Sequence, residues 1–545
     1  MTANTNPVAV DTAVLDPAHV GDIQGALGTI RLGDTGPRRK MSAKFRTLIA
    51  IVGPGLIVMV GDNDAGAFGT YTQAGQNYGT HLLWTLLLLV PVLYINQEMA
   101  LRLGAVSGVG HAKLILERFG KFWGAFSVID LFVLNGLTII TEFIGVSLGL
   151  SYLGIPKIPG VIVALVFVVV AASTGSFRRF ERLCLLLVVA SLTLIPIVFI
   201  VHPPISQVAT NFVVPGFPPG AQVSSVILLI IGIVGTTVAP WQLFFQQSYV
   251  VDKRITPRFM KYERVDLGIG IAIVIVGAAA MMAFTAATFV GTNGFGNFTD
   301  AGGVAAGLGH YVSKLAGVLF AIALIDASTI GAAAVGLSTS YALSDVLGLK
   351  HSLHRKVRDA KGFYAIFAGI LAVAATIVLI PGSPLGILTS GVQVLAGVLL
   401  PSASVFLLLL CNDKAVLGPW TNKRGLNIFT GAIVAILVML SVILTSSVLF
   451  PDISSGAIIG ILVGGSALGL IAGTILLIVQ RRTRTGAVEQ MTPEQKMAWR
   501  MPPIASLEKP RLSLGRRMGL GVLRGYLLIA AVLVVIRVIQ LAIGQ

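Results

Sequence analysis

The run Gly53–Gly75, GPGLIVMVGDNDAGAFGTYTQAG, carries two carboxylates, Asp62 and Asp64, with Asn63 between them, inside an otherwise apolar stretch. Side-chain oxygens of this kind are ligands for a hard cation, and two negative charges suit a divalent one. Charge at bilayer depth is expensive and marks ion paths by default. Gly61, Gly66 and Gly69 make an unbroken helix improbable here, because each favours irregular backbone. Irregular backbone at membrane depth is tolerated only where it lines a cavity or is buried in protein. The stretch therefore reads as a helix broken at mid-membrane around a cation site. The plainer reading is a re-entrant turn, or two carboxylates in water at the interface.

A second polar interruption, Thr236–Gln242 (TTVAPWQ), falls in another apolar span. Unwound carbonyls at such breaks bind cations, and helix-end dipoles add to the field. An amino-acid site of the same architecture would want free N–H groups for the substrate carboxylate and no fixed anion nearby. Asp62 and Asp64 argue against that.

The elements that must hold these breaks belong to a polytopic membrane protein. Of 545 residues, 55% are hydrophobic and 11% charged, against about 25% charged in soluble proteins. Two cysteines, Cys184 and Cys411, exclude a disulfide scaffold and a multi-thiolate metal site. The net charge of +16 comes from basic residues in alternating loops, which fits membrane topology better than nucleic acid. No P-loop motif supports ATP-driven pumping, and the first 46 residues lack the apolar core of a signal peptide.

Twelve spans are predicted. The first repeat, 47–202, holds spans 1 to 5, with span 1 (47–78) broken near 61–67. The second, 222–411, holds spans 6 to 10. Spans 11 and 12 occupy 427–480. A cytoplasmic tail (1–46), expected to be flexible, precedes them, and a cytoplasmic linker (481–517) leads to an apolar segment, 518–543. Arg524 and Arg537 interrupt that segment, which reads as a thirteenth helix, spanning or interfacial. Basic clusters in every second loop put the N-terminus in the cytoplasm of a plasma membrane. Spans 1 and 6 are five apart, so the halves run in opposite directions: an inverted 5+5 repeat of the leucine-transporter-like kind, all-α, with broken spans 1 and 6.

With these residues in view, the chain resembles the Nramp (natural-resistance-associated macrophage protein) family of divalent-metal transporters over roughly 47–445. The resemblance rests on Gly53-Pro54-Gly55, eight residues, then Asp64-Ala65-Gly66-Ala67 where the family has Asp-Pro-Gly-Asn, and Gln73-Ala74-Gly75 in register. Gln97, Ala100, Arg102, Leu103 and Gly104 match the end of span 2. Gln393 stands eight residues before Pro401, with Asn412-Asp413-Lys414 beyond. The departures are informative. The family's Asn is Ala67, its methionine is Ala239 and its following histidine is Trp241. Gln246 replaces a second histidine, and an Asp-x-x-Glu pair is reduced to Ile139 and Glu142.

The pattern is similar to the Nramp-related magnesium-transporter branch. It implies an import protein, not an enzyme and with no cofactor, whose cargo is Mg²⁺, with Mn²⁺ also accepted, bound largely hydrated. The implied ligands are Asp64 or Asp62, the Thr236 carbonyl and Gln393, with Ala67 and Ala239 widening the site. Trp241, Gln242 and Asn63 are cavity candidates, and Glu142 is a relay candidate or a plain buried acid. Removal of sulfur favours hard ions, and Mg²⁺ keeps several waters. Loss of both histidines implies transport without proton coupling. Its partners are the bilayer and the ion. One alternative is a proton-coupled Mn²⁺/Fe²⁺ importer of ordinary Nramp type; the other is a non-transporting receptor or signalling protein of the same fold.

Overall fold

The computed structural model describes residues 13–382, 401–450, 453–482 and 491–508, with scattered positions at 389, 392 and 510 and between 519 and 532. The first span comes in three pieces. Helix α1 (Met41–Ile51) bends by 49° into α2 (Pro54–Val60), and after residues 61–64 the chain resumes as α3 (Ala65–Tyr78). Pro54 opens α2, at a position where its missing N–H leaves no bond unmade. A Cβ on Gly53 would lie 2.1 Å from Glu181 Oε1, so the bend accepts no side chain. The Asp266 carboxylate accepts the amides of Gly53 at 3.1 Å, Gly55 at 2.8 Å and Leu56 at 3.3 Å. Those are the orphan donors of the first turn of α2, and the helix dipole favours an anion there.

Next come α4 (Trp84–Ser107), α5 (His111–Phe119), α6 (Lys121–Tyr152), α7 (Lys157–Ala172), α8 (Phe177–Ala190), α9 (Leu194–Val201) and α10 (Ile205–Val213). The sixth span is broken into α11 (Val223–Thr237) and α12 (Pro240–Asp252). Then follow α13 (Met260–Phe289), α14 (Ala301–Tyr311), α15 (Lys314–Leu347) and α16 (Lys361–Leu379). Helix α17 (Pro401–Cys411) bends by 67° into a segment containing α18 (Lys414–Leu417). Two long apolar helices, α19 (Arg424–Leu449) and α20 (Ser455–Arg482), and the short α21 (Pro493–Ala498) follow. Helix α15 runs along α6, α13 lies against α2 and α3, and α12 packs on α4, so the broken helices form the middle of the bundle. Among the described residues eight helices are long and apolar enough to cross a membrane, or up to ten when each of two bent pairs counts as one span.

The structure departs from the sequence reading at several points. Three short helices, α5, α10 and α14, add to the twelve predicted spans. Each is 9 to 11 residues long, too short to span. Asp300 caps α14 by accepting the Gly303 amide at 2.8 Å, a local signal available in the sequence. The all-α class has one exception among the described residues, a two-stranded antiparallel hairpin, β1 (Ile23–Gly25) and β2 (Gly28–Ile30). That hairpin overturns the expectation of a flexible tail. Residues 13–30 are folded against the bundle, with Asp16, His19, Ile23, Ala26 and Ile30 buried, and the first helix starts at Met41. Burial of these apolar side chains, together with hydrogen bonds to neighbouring elements, offsets the entropy of ordering the segment. Most of the apolar segment 518–543 lies outside the described residues, as does Gln393.

Candidate cation site

The two breaks face each other. Asp64 is the N-cap of α3, with extended backbone, and its Oδ1 accepts the Ala67 amide at 2.9 Å. Glu142, from α6, reaches the same helix end, where its Oε2 accepts the Ala65 amide at 3.2 Å. Two carboxylates thus share one helix N-terminus, where unpaired amides and the dipole favour negative charge. Gly331 on α15 permits the arrangement: a Cβ there would lie 2.7 Å from the Glu142 carboxyl carbon and 3.0 Å from Asp64 Cβ.

Asp62 sits in the break itself, fully buried. The Gln242 side-chain amide of α12 donates to its Oδ1, and Gln97 Nε2 of α4 donates to Gln242 Oε1 at 2.9 Å. Asp62 Oδ2 and Glu142 Oε1 are buried with no hydrogen-bond partner. Buried acceptors in this state cost free energy that a bound cation would recover.

On the other break, Pro240 opens α12 and has no N–H. The carbonyl of Thr236, four residues earlier, therefore has no helical donor. The Val238 amide turns back to the Val234 carbonyl at 3.0 Å, closing the end of α11. Tyr71 and Thr237 hydroxyls share a hydrogen bond of 2.6 Å, tying α3 to α11. Trp241 is buried beside Gly61, and its carbonyl accepts the Ser338 hydroxyl at 2.9 Å. Ala67 is buried on the first turn of α3, and Ala239 is the N-cap residue of α12; both contribute only a methyl group.

A cavity of about 430 Å³ leads from Phe298, Thr299 and Asp300 past Gln73 and Thr141 to Ala65 and Gly66, the two residues after Asp64. Among the described residues no group of three His, Cys, Asp or Glu side chains is placed to hold a metal ion. An ion at the breaks would therefore draw on backbone carbonyls and water as well as carboxylate.

The structure brings together Asp62, Asp64, Glu142, Ala67 and Gln242 with the Thr236–Ala239 break. Asn63 goes elsewhere. Its Nδ2 donates to the Val274 carbonyl at 3.2 Å, and it lines an apolar cavity of about 580 Å³ bounded by α9 and α13. Gln97, Tyr71 and Gly331 were not singled out as site residues in the sequence. A polar Gln97 in an apolar span was the available signal; Gly331 sits in a run of small residues with none. Glu98 is ion-paired with Arg102 at 3.2 Å and Arg264 at 2.7 Å, apart from the breaks.

Comparison with known proteins adds the following. Residues 55–447 match the family described as "Natural resistance-associated macrophage protein-like". The chain is 27% identical over 423 residues to the divalent metal cation transporter MntH of Levilactobacillus brevis, covering 73% of this chain and 89% of that one. It is 25% identical over 430 residues to the protein of the same name in Staphylococcus aureus, covering 74% and 92%. A crystal structure of the Eremococcus coleocola manganese transporter has the same fold, with a TM-score of 0.63 at 22% identity, covering 83% of this chain and 99% of that one.

Proposed function

Because the chain belongs to the natural resistance-associated macrophage protein-like family, we propose that it is a secondary transporter of divalent metal ions, and not an enzyme. The observation that carries this reading is the buried trio Asp62, Asp64 and Glu142, held by neutral donors beside the Thr236 carbonyl, from which Pro240 withholds the helical N–H. Such a group gains most from a cation, and broken helices are where transporters coordinate one. In this reading ions enter through the cavity next to Asp300 and leave toward the N-terminal face, which is cytoplasmic in a plasma membrane.

The finer reading is a preference for Mg²⁺, with Mn²⁺ accepted. Its support is the ligand chemistry: carboxylate and carbonyl oxygens suit Mg²⁺ and Mn²⁺, and Ala239 offers none of the thioether sulfur that softer ions favour. Room left by the two alanines suits an ion that keeps part of its water shell. Transport is uncoupled from protons in this reading, supported by Trp241 and Gln246 standing where the family resemblance expects histidines. A second reading, a proton-coupled Mn²⁺ or Fe²⁺ importer, is favoured by the relatives, which are called divalent metal cation transporters and a manganese transporter.

Uptake of Mg²⁺, Mn²⁺ and Cd²⁺ into proteoliposomes, measured side by side, tests these readings. Mg²⁺ and Mn²⁺ uptake with weak Cd²⁺ uptake is expected. Cd²⁺ uptake far above Mg²⁺ would refute the hard-ion preference, and no uptake of any of the three would refute transport.

A further inference from the structure

Residues 13–31 lie across the face of the bundle opposite the Asp300 cavity, and they touch elements from both halves of the chain. The contacts are specific and largely buried. Asp16, 3% exposed, accepts the His351 amide at 3.1 Å and pairs with Arg355 at 2.5 Å, both in the segment after α15. Arg254, just past α12, donates to the Ala18 carbonyl at 2.8 Å and the Asp22 carbonyl at 2.8 Å. His19 Nε2 lies 3.5 Å from Asp252, and its ring meets that of His351 edge-on at 5.1 Å. On the other flank, Ala26 donates its amide to Glu181 of α8 at 2.5 Å and accepts from Arg182 at 2.8 Å. The hairpin rests on α1: a Cβ on Gly25 would meet the Ala50 carbonyl oxygen at 1.9 Å.

The same Glu181 holds the bend of the first span. Its carboxylate pairs with Lys253 at 2.6 Å, and Lys253 Nζ donates to the carbonyls of Ile51 at 2.6 Å and Val52 at 3.0 Å. Thus the buried lysine joins α1, α8 and the end of α12, Asp252 joins the end of α12 to the segment after α15, and the N-terminal segment lies over all four. An ion at the breaks can reach the opposite face only if these elements part.

We propose that residues 13–31 form a strap that clamps this face closed and slows its opening, an autoinhibitory contact within the chain. The proposal rests on the transport reading only for its effect on uptake. The strap reinforces ties already present, since Phe177 at the start of α8 stacks on His354 and Asp252 accepts the Ser352 hydroxyl and the Leu353 amide; to these it adds the Asp16–Arg355 pair and the hairpin seated on α1. Charged, hydrogen-bonded contacts distribute the hold over several weak points, so that it can release and re-form.

The test uses the full-length protein in proteoliposomes with Asp16→Ala, Arg355→Ala and the charge exchange Asp16→Arg with Arg355→Asp. Spin labels on cysteines at Leu27 and Val357 report strap docking, and labels at Phe45 and Leu347 report the gate; all four are surface positions. Both native cysteines are buried, which keeps labelling selective. Each single substitution should broaden and lengthen both distances, raise Mn²⁺ uptake by about five-fold, the low end of ordinary coupling, and be reversed by the exchange. A released strap with an unchanged 45–347 distance would overturn the clamp, as would a strap that stays docked in both single variants. If the 45–347 distance responds but wild type and variants alike take up no metal, the clamp stands and the transport reading falls.

Discussion

Gly331→Ala puts the close approach of α15, α6 and the first break to a quantitative test. The added methyl would stand 2.7 Å from the Glu142 carboxyl carbon and 3.0 Å from Asp64 Cβ. Carbon atoms settle at about 3.5–4.0 Å, so the Glu142 carboxyl must retreat by about 1 Å. Its bond from the Ala65 amide, 3.2 Å long, is then lost. A buried donor and acceptor left unpaired cost about 1–3 kcal/mol, and overpacking adds about 1–3 kcal/mol. Replacing a helical glycine by alanine returns about 1 kcal/mol. The net loss of about 1–5 kcal/mol should lower the melting temperature in detergent. Displacing the site by about 1 Å should cut uptake about 100-fold. Gly268→Ala is the control: nothing lies within 4 Å of its added methyl, so stability should hold or rise with uptake unchanged. Wild-type uptake and melting in Gly331→Ala would refute the reasoning.

Asp64→Ala should abolish metal uptake while the protein still reaches the membrane, whereas Asp62→Ala should weaken uptake about ten-fold, because Gln242 leaves that carboxylate only one free oxygen; equal uptake in wild type and Asp64→Ala would disprove the assignment. With a pH-sensitive dye inside liposomes, Mg²⁺ or Mn²⁺ entry should produce no metal-dependent acidification. The membrane potential, worth about 2.3 kcal/mol per charge per 100 mV, suffices to drive a divalent ion. A proton influx that scales with metal and disappears in Glu142→Gln would refute uncoupled transport. His351 makes stability depend on pH. Burial alone would lower its pKa, but the Asp345 carboxylate at 3.0 Å and the Leu349 carbonyl raise it from 6.5 to about 9. A raised value means the stabilisation, roughly 3 kcal/mol at about 1.4 kcal/mol per pH unit, is complete below about pH 6.5 and is lost as pH rises through about 9. The melting temperature should fall across that window in wild type and stay flatter in His351→Gln; parallel curves would contradict the pairing.

Both breaks of the candidate site are legible because their signals are local. Carboxylates beside glycines in an apolar run announce a break, and Pro240 marks the second one by removing a donor. The partners that complete the site come from distant helices, and sequence spacing does not encode them. Gln97 reaches Gln242 across 145 positions, and Tyr71 reaches Thr237 across 166. Asn63 was misplaced because two residues of irregular backbone suffice to turn a side chain to the opposite wall. The N-terminal segment looked flexible because its composition is polar and its few buried groups, such as Asp16 and Ala26, find partners 339 and 155 positions away.

In the proposed site Asp64 would do two jobs with one carboxylate. As the N-cap of α3 it already accepts the Ala67 amide, so an ion that takes both of its oxygens competes with a contact worth about 1 kcal/mol to the helix end. Capture is then an exchange of partners, and departure of the ion is assisted by the amide that takes its place. A residue in this position shortens the residence time of its guest. That is an advantage where cargo must be surrendered at every cycle, and a disadvantage in a protein that stores metal.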